Sequence, residues 1–488
     1  MWSISCSLNL ATITFAEKQL STMKKFIIPI TALTIMLLTT AFSCFCQQKK
    51  NGQKSSKPNV IVILTDDMGF SDVGAFGGKF VPTPNIDRIA KNGLKLAQYY
   101  SAAPICSPSR VGMITGMYPG RWNFTTYLDN QKHNREAEQA DFLDPKAPTI
   151  AKFFKNAGYA TGHFGKWHMG GGRDVKNAPG FEQYGFDAHA STYESPDPDP
   201  VLTATDWIWS EKDSIKRWDR TRYFVDKTLD FLLKHKDQPC FINLWPDDVH
   251  TPWVPRKETE YTGQYPMNPQ EEAAFKLVLK EYDKQIGRLL DGLKQMGEDQ
   301  NTIVIFTSDN GPLPSFKGSR AEGLRGSKLS LYEGGTRMPF IISWPGHIAK
   351  GKTDESSAVN SLDLLPSLAK MASVSIPASY NGDGVDRSGV FLGKPSARGK
   401  EMFWEYGRND IAFKYPKPVD KSPNLAIRSE EWKLLMNSNG TDIQLYNILK
   451  DKKETTNLAL GQAKITRELK EKLLNWWESL PKLAPAGP

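Results

Sequence analysis

Asn59-Val-Ile-Val-Ile-Leu64, running into Thr65, Asp66 and Asp67, decides the fold class. The run is apolar at every position after Asn59 and rich in β-branched residues, the pattern of a strand covered on both faces in a parallel sheet. Thr302-Ile-Val-Ile-Phe306 repeats it and is followed by Asp309 and Asn310. Cys240-Phe-Ile-Asn-Leu244, which leads to Asp247, Asp248 and His250, and Pro339-Phe-Ile-Ile-Ser-Trp344 are further strands. Helices lie between them. Thr83-Pro84 opens one that Gly93 closes, and Pro148 to Gly158 repeats the arrangement. Gln270 to Met296 is a long helix with Phe275, Val278, Leu279, Tyr282, Ile286, Leu289 and Leu293 on one stripe. Strands alternating with helices predict an α/β architecture, a large, mostly parallel mixed central sheet flanked by helices. After about Gly393 the pattern changes to strands at Glu401–Tyr406, Ala426–Met436 and Gln444–Asn447 and a last amphipathic helix, Ala463–Ser479. We read residues 59–393 as one catalytic domain and 394–488 as a smaller C-terminal α+β subdomain, an antiparallel sheet with a terminal helix.

The 488 residues carry 62 Lys and Arg against 54 Asp and Glu, a net +8, with 39% hydrophobic content. That balance excludes a disordered chain, a coiled coil and a multi-span membrane protein. The basic residues form no runs and no interleaving with aromatics, so no nucleic-acid partner is expected. Cys6, Cys44, Cys46, Cys106 and Cys240 have neither zinc-ligand spacing nor the density of a disulfide framework. Met23-Lys24-Lys25, the apolar stretch that follows and the small residues Ala41 and Ser43 make a bacterial export signal over 23–43. This places the mature protein in the periplasm or cell envelope. Residues 1–22 then lie upstream of the true start, and 44–58 is a polar tether. Cys44 directly after Ser43 fits a lipid-anchor site about as well as it fits plain secretion.

Asp66-Asp67 and Asp309-Asn310 both follow strands, at the sheet edge where open α/β folds bind ligands. Three carboxylates and a carboxamide suit a hard divalent cation, calcium (Ca2+) before magnesium (Mg2+). Either pair alone is more often a turn or helix cap. Cys106-Ser-Pro-Ser-Arg110, continued by Val-Gly-Met-Ile-Thr-Gly116, sets a cysteine at a helix N-terminus, where an anion meets free N–H groups, and Arg110 adds a fixed fork of donors.

This pentapeptide and its continuation closely resemble the signature of the type I, formylglycine-dependent sulfatases of the alkaline-phosphatase-like superfamily. Other segments resemble the family in order: Asp66-Asp67, Gly165-Lys166-Trp167-His168-Met169-Gly170, His250-Thr251-Pro252, Ser308-Asp309-Asn310-Gly311, and Lys328 with Tyr332-Glu333-Gly334-Gly335. Trp432-Lys433-Leu434, Leu445-Tyr446-Asn447 and Glu454-Thr-Thr-Asn-Leu458 resemble its small terminal domain, so the likeness covers nearly all of the mature chain. Met117 departs from it, where Arg is common.

The resemblance implies a sulfuric ester hydrolase in which a maturation enzyme converts Cys106 to formylglycine, whose hydrate is the nucleophile. It implies a metal held by Asp66, Asp67, Asp309, Asn310 and the modified Cys106, with Asp309 able to accept the nucleophile's proton. Arg110 and Lys166 would hold the diol, and Lys328 with His250 would face the ester oxygen, His250 as the acid. His168 would help restore the aldehyde by expelling sulfate. His189, His235 and His347 carry no such neighbours and read as ordinary surface or core residues.

Tyr99-Tyr100-Ser101-Ala102-Ala103-Pro104-Ile105 resembles the arylsulfatase and N-acetylgalactosamine-6-sulfatase branch. That implies a sulfated saccharide substrate, cleaved in an exo fashion at galactose or N-acetylgalactosamine. Specificity is expected from the segments Arg173–Ser195, Pro312–Arg325 and Trp404–Tyr406. The alternatives are a phosphodiesterase or phosphonate monoester hydrolase of the same superfamily, and a non-catalytic glycan-binding lipoprotein.

Overall fold

The strand Asn59–Thr65 (β1) is buried at every position, and its alternate residues enter two different cores. Val60, Val62 and Leu64 pack with Val111, Phe154 and Leu365. Ile61 and Ile63 pack with Ile86, Phe224 and Phe275 on the other face. An unbroken apolar run is what a strand with helices on both sides requires. The structure, a computed structural model, describes residues 57–202, 212–256, 271–412 and 421–482. The leader and the tether through residue 56 lie outside it. No described helix is long and apolar enough to cross a membrane.

The other strands of the large sheet are β2 (Leu94–Tyr100), β3 (Ala160–Gly165), β4 (Ala188–Ser191), β5 (Cys240–Trp245), β6 (Thr302–Ser308), β7 (Arg337–Ser343), β8 (Lys352–Asp354) and β9 (Val359–Asn360). Their order is β4-β3-β5-β1-β6-β7-β2-β8, with β9 beside β2. β7 runs antiparallel to both neighbours, β6 and β2, and the other pairings are parallel. In the β1–β6 register Thr65 lies opposite Ser308, which brings Asp66 and Asp309 to the same sheet edge.

The predicted helices form with trimmed ends. Pro84–Lys91 starts on its proline, but Asn92 ends it. Gly93 has a different use: a Cβ there would lie 2.1 Å from the Ile342 carbonyl oxygen, so the glycine lets β7 pass close. Ile150–Asn156 is capped by the Thr149 hydroxyl, which accepts from the Lys152 N–H. Glu272–Gln295 carries the expected buried stripe.

The second sheet is antiparallel, in the order β10 (Met402–Glu405), β11 (Leu425–Ser429), β12 (Trp432–Met436) and β13 (Gln444–Asn447). The single strand expected over Ala426–Met436 is instead the hairpin β11–β12, because Glu430 turns the chain at φ +48°. The terminal helix Ala463–Ser479 buries Leu469 and Leu473 against Leu425, Ile427 and Leu434.

The two sheets share a core in which Tyr100, Cys106 and Tyr332 meet Trp404, Tyr406 and Leu435. Lys433 of β12 crosses it, with Nζ 2.9 Å from Glu333 and 3.0 Å from Glu454, all fully buried on their side chains for the first pair. Tyr100 donates to the other Glu333 oxygen at 2.8 Å. Lys433→Met strands two carboxylates in the interior, so the expected loss is about 3–5 kcal/mol. A urea melt checks this: a lower midpoint at unchanged slope is the expected result, and an unchanged midpoint contradicts it.

Candidate active site

Asp66 and Asp67 leave β1, and Asp309 and Asn310 leave β6, at one buried edge. Asp67 adopts φ +58°, a left-handed conformation uncommon outside glycine that marks functional sites when the surroundings enforce it. Two contacts hold it there. Its N–H donates to Asp309 Oδ1 at 3.2 Å, and its carbonyl accepts from Arg320 Nη2 at 2.8 Å. Asn310 Nδ2 donates to Asp67 Oδ1 at 2.7 Å. Asn310 Oδ1 is buried and has no hydrogen-bond partner among the described residues.

Cys106 is the first residue of the helix Cys106–Thr115, with Sγ 3.6 Å from Asp66 Oδ1. Burial pushes its thiol up to about 12, although Lys166 and Lys328 oppose the shift, so the encoded side chain is not a ready nucleophile. Arg110, one turn on, donates from Nε and Nη2 to Asp309 Oδ2 at 2.9 and 2.7 Å and from Nη1 to the Lys166 carbonyl at 2.7 Å. Its guanidinium lies over the Trp245 ring, 5.4 Å from the centroid. Ser109 donates its hydroxyl to the Asp309 carbonyl, which ties the helix to the β6 edge.

Two lysines complete the charge balance. Lys166 Nζ lies 2.8 Å from Asp66 Oδ2, and Lys328 Nζ lies 2.7 Å from Asp67 Oδ2. Burial would raise the Asp66 carboxyl, but Lys166, His250, Arg110 and Lys328 outweigh it and hold it well below its usual range. Asp67 is also lowered, with Lys328 and His250 overcoming burial. Asp309 goes the other way: burial, reinforced by Asp66 and Asp67, pushes it up to about 7 despite Arg110. Both lysines are raised, their carboxylate partners outweighing burial.

His250 donates from Nδ1 to the Thr251 carbonyl at 2.6 Å, so Nε2 carries the lone pair and accepts from Lys328 Nζ at 3.1 Å. Burial and the neighbouring Lys328 push the imidazole down to about 4. The ring is therefore neutral near pH 7, and the proton of this pair rests on Lys328. His168 is buried at φ +55°, pushed down to about 3 by burial.

Oxygens of Asp66 and Asp67, the Cys106 sulfur and a His250 nitrogen all lie within 4.8 Å of one another. Such crowding of carboxylates, next to an orphaned amide oxygen on Asn310, fits a hard divalent cation held by Asp66, Asp67, Asp309 and Asn310.

The Sulfatase family model matches residues 58–374. The chain belongs to the sulfatase family, and it is a sulfuric ester hydrolase. A second family model, the C-terminal region of N-sulphoglucosamine sulphohydrolase, matches residues 327–479. An N-acetylgalactosamine-6-O-sulfatase of Bacteroides thetaiotaomicron is 29% identical, over 87% of this chain and 94% of that one. Human arylsulfatase A is 27% identical, over 85% of this chain and 86% of its own. A solved structure from work on glycosaminoglycan metabolism by Bacteroides thetaiotaomicron superposes with a TM-score of 0.69 at 26% identity, covering 86% of this chain and 99% of that one.

The sulfatase site thus gathers Cys106, Arg110, Lys166, His250, Lys328 and Asp309 around Asp66 and Asp67. The ring of His168 bonds to none of them, yet it sits in the field of Lys166 and Arg110. Asp247 pairs with Arg217 and Arg220, and Asp248 accepts from the N–H and hydroxyl of Thr221 at the start of a helix. Trp404 and Tyr406 pack in the core. Each is 1% exposed in the core between the sheets, and Trp404 donates to the Ser101 carbonyl. Sequence reasoning missed Glu194, Arg320 and Ser109, whose partners lie far along the chain.

Proposed function

We propose that this sulfatase removes sulfate from terminal galactose- or N-acetylgalactosamine-type sugars in an exo fashion, with formylglycine made from Cys106 and calcium held by Asp66, Asp67, Asp309 and Asn310. The observation that carries it is the placing of Cys106 at a helix N-terminus beside Asp66, with Arg110, Lys166 and Lys328 around it. The substrate class rests on the N-acetylgalactosamine-6-O-sulfatase relative. Substrate chemistry asks for a nucleophile, donors on the sulfuryl oxygens and a proton for the departing sugar oxygen. Arg110 and Lys166 orient the nucleophile at position 106. Lys328 holds the proton for the leaving group, and His250 Nε2, accepting its hydrogen bond, orients it. When bound, the cation polarises the nucleophile and a sulfate oxygen.

The same reading includes export through the signal at 23–43, a tether over 44–58 with lipidation at Cys44 as one route to the cell envelope, and a formylglycine-generating partner. It divides the body into a catalytic domain, 59–393, and a subdomain, 394–488. The test is sulfate release from a panel of monosulfated saccharides by protein co-expressed with a formylglycine-generating enzyme. Release from 6-sulfated galactose-type sugars is expected. Release confined to other sugars overturns the substrate assignment, and faster cleavage of matched phosphate esters would favour the phosphoester alternative.

A further inference from the structure

Glu194 grips His168 twice. Its backbone carbonyl accepts the His168 N–H at 2.9 Å, and its Oε2 lies 3.1 Å from His168 Nε2. The carboxylate is itself clamped, because Arg173 donates to Glu194 Oε1 from Nη2 at 3.0 Å while its Nη1 pairs with Asp129 at 3.0 Å. Neither side chain of the His168–Glu194 pair is more than 9% exposed. The backbone has been shaped to allow the contact. His168 is left-handed at φ +55°, and Gly171 and Gly172 follow at +90° and +75°. A Cβ on Gly171 would lie 2.3 Å from the Ser195 backbone, and one on Gly172 would lie 2.5 Å from the Tyr193 carbonyl oxygen. Two segments without regular structure are therefore pressed together around this pair.

The hydrogen bonding settles the tautomer. His168 Nε2 faces the Leu128 carbonyl at 3.1 Å as well as Glu194, and both of these groups only accept. The proton is on Nε2, and Nδ1 keeps its lone pair. Nδ1 is buried and has no hydrogen-bond partner among the described residues.

We propose that Glu194, held by Arg173, is a positioning residue that fixes the Nε2–H tautomer of His168 and so leaves the Nδ1 lone pair available for the base role that the formylglycine reading gives this residue. This rests on the formylglycine reading above and adds to it the residues that prepare the base. A carboxylate opposite an imidazole N–H fixes its orientation and stabilises the positive charge that appears when the other nitrogen takes a proton. Arg173 keeps the carboxylate pointed at the ring. The segment Arg173–Ser195, read from sequence as a specificity loop, thus serves His168 through its two ends.

The test has a readout that needs no turnover. Protein labelled with 15N-histidine and carrying Cys106 as encoded has 7 histidines, and His168→Gln assigns the one that matters. The wild type is expected to show His168 as the neutral Nε2–H form. Glu194→Gln substitutes an amide that can also donate, so the His168 signals should move toward a mixture with the Nδ1–H form. Should this variant fail to fold, Arg173→Met, which alters a partly exposed residue, is read the same way and gives a smaller shift in the same direction. In the matured enzyme Glu194→Gln should lower kcat by about 10- to 100-fold with KM little changed. An unchanged Nε2–H signal overturns the proposal. The two possible failures are distinct: a matured wild type that releases no sulfate refutes the formylglycine reading, whereas an active wild type whose variant keeps both signal and kcat refutes the positioning role alone.

Discussion

Replacing Cys106 with Ala should lower sulfate release by at least about a thousandfold, as expected for loss of a nucleophile. The neighbouring hydroxyls are engaged elsewhere: Ser107 accepts from the Leu128 N–H at 3.0 Å, and Ser109 donates to the Asp309 carbonyl. Neither can replace position 106 without breaking a contact that holds the helix in place. Loss of one buried sulfur costs on the order of 1 kcal/mol, so the variant should fold. Affinity for sulfated saccharides, measured by calorimetry, should persist because Arg110, Lys166 and Lys328 remain. Residual turnover within tenfold of the wild type, after maturation under the same conditions, would contradict the role given to Cys106.

Chelation should abolish activity without unfolding the protein. Asp66, Asp67 and Asp309 are matched by Lys166, Lys328 and Arg110 at 2.8, 2.7 and 2.7 Å, so the buried charges stay paired when the cation leaves. The carboxylate ligands still gain from a cation, because Asp309 is otherwise pushed up to about 7 by burial and its acidic neighbours. Readdition of calcium at about a hundred times its Kd should restore turnover and stabilise the fold by about 2.7 kcal/mol. Thermal melts with and without chelator, paired with activity, check both halves. Activity that survives exhaustive chelation contradicts the cation site, and restoration by magnesium alone contradicts the preference for calcium.

The parts of the fold that were legible in the sequence share a cause. β1 and β6 stand in the middle of the sheet with helices on both faces, and burial on both sides leaves no polar position to obscure the strand. The stripe of Glu272–Gln295 is equally direct. The β11–β12 hairpin was not legible, since its turn at Glu430 and Glu431 interrupts an apolar pattern too briefly to separate two strands. Gly93 looked like a helix stop, but its role is set by Ile342, a residue that only the sheet brings near.

The site divides in the same way. Residues proposed to touch the reacting group are constrained in type and spacing by the chemistry, and Cys106, Arg110, Asp309 and the two lysines could be found from motifs. Residues that orient them are constrained only by tertiary contact. Glu194 sits 26 positions from His168 in a segment with no pattern, and Arg320 reaches Asp67 from 253 positions away. The burial of Trp404 and Tyr406 was not legible for a related reason, because sequence does not reveal whether an aromatic faces solvent or the neighbouring sheet. His250 was placed correctly beside Lys328, yet its neutrality follows from burial and from that lysine, which only the assembled site displays.

The most direct test of the account is to titrate activity against conversion of residue 106. Preparations made with graded amounts of formylglycine-generating enzyme are assayed for sulfate release, and the fraction of formylglycine at position 106 is read by peptide mass spectrometry. The account predicts specific activity proportional to that fraction, with a line through zero. Sulfate release that is independent of conversion, or substantial in protein that retains the Cys106 thiol, would contradict it.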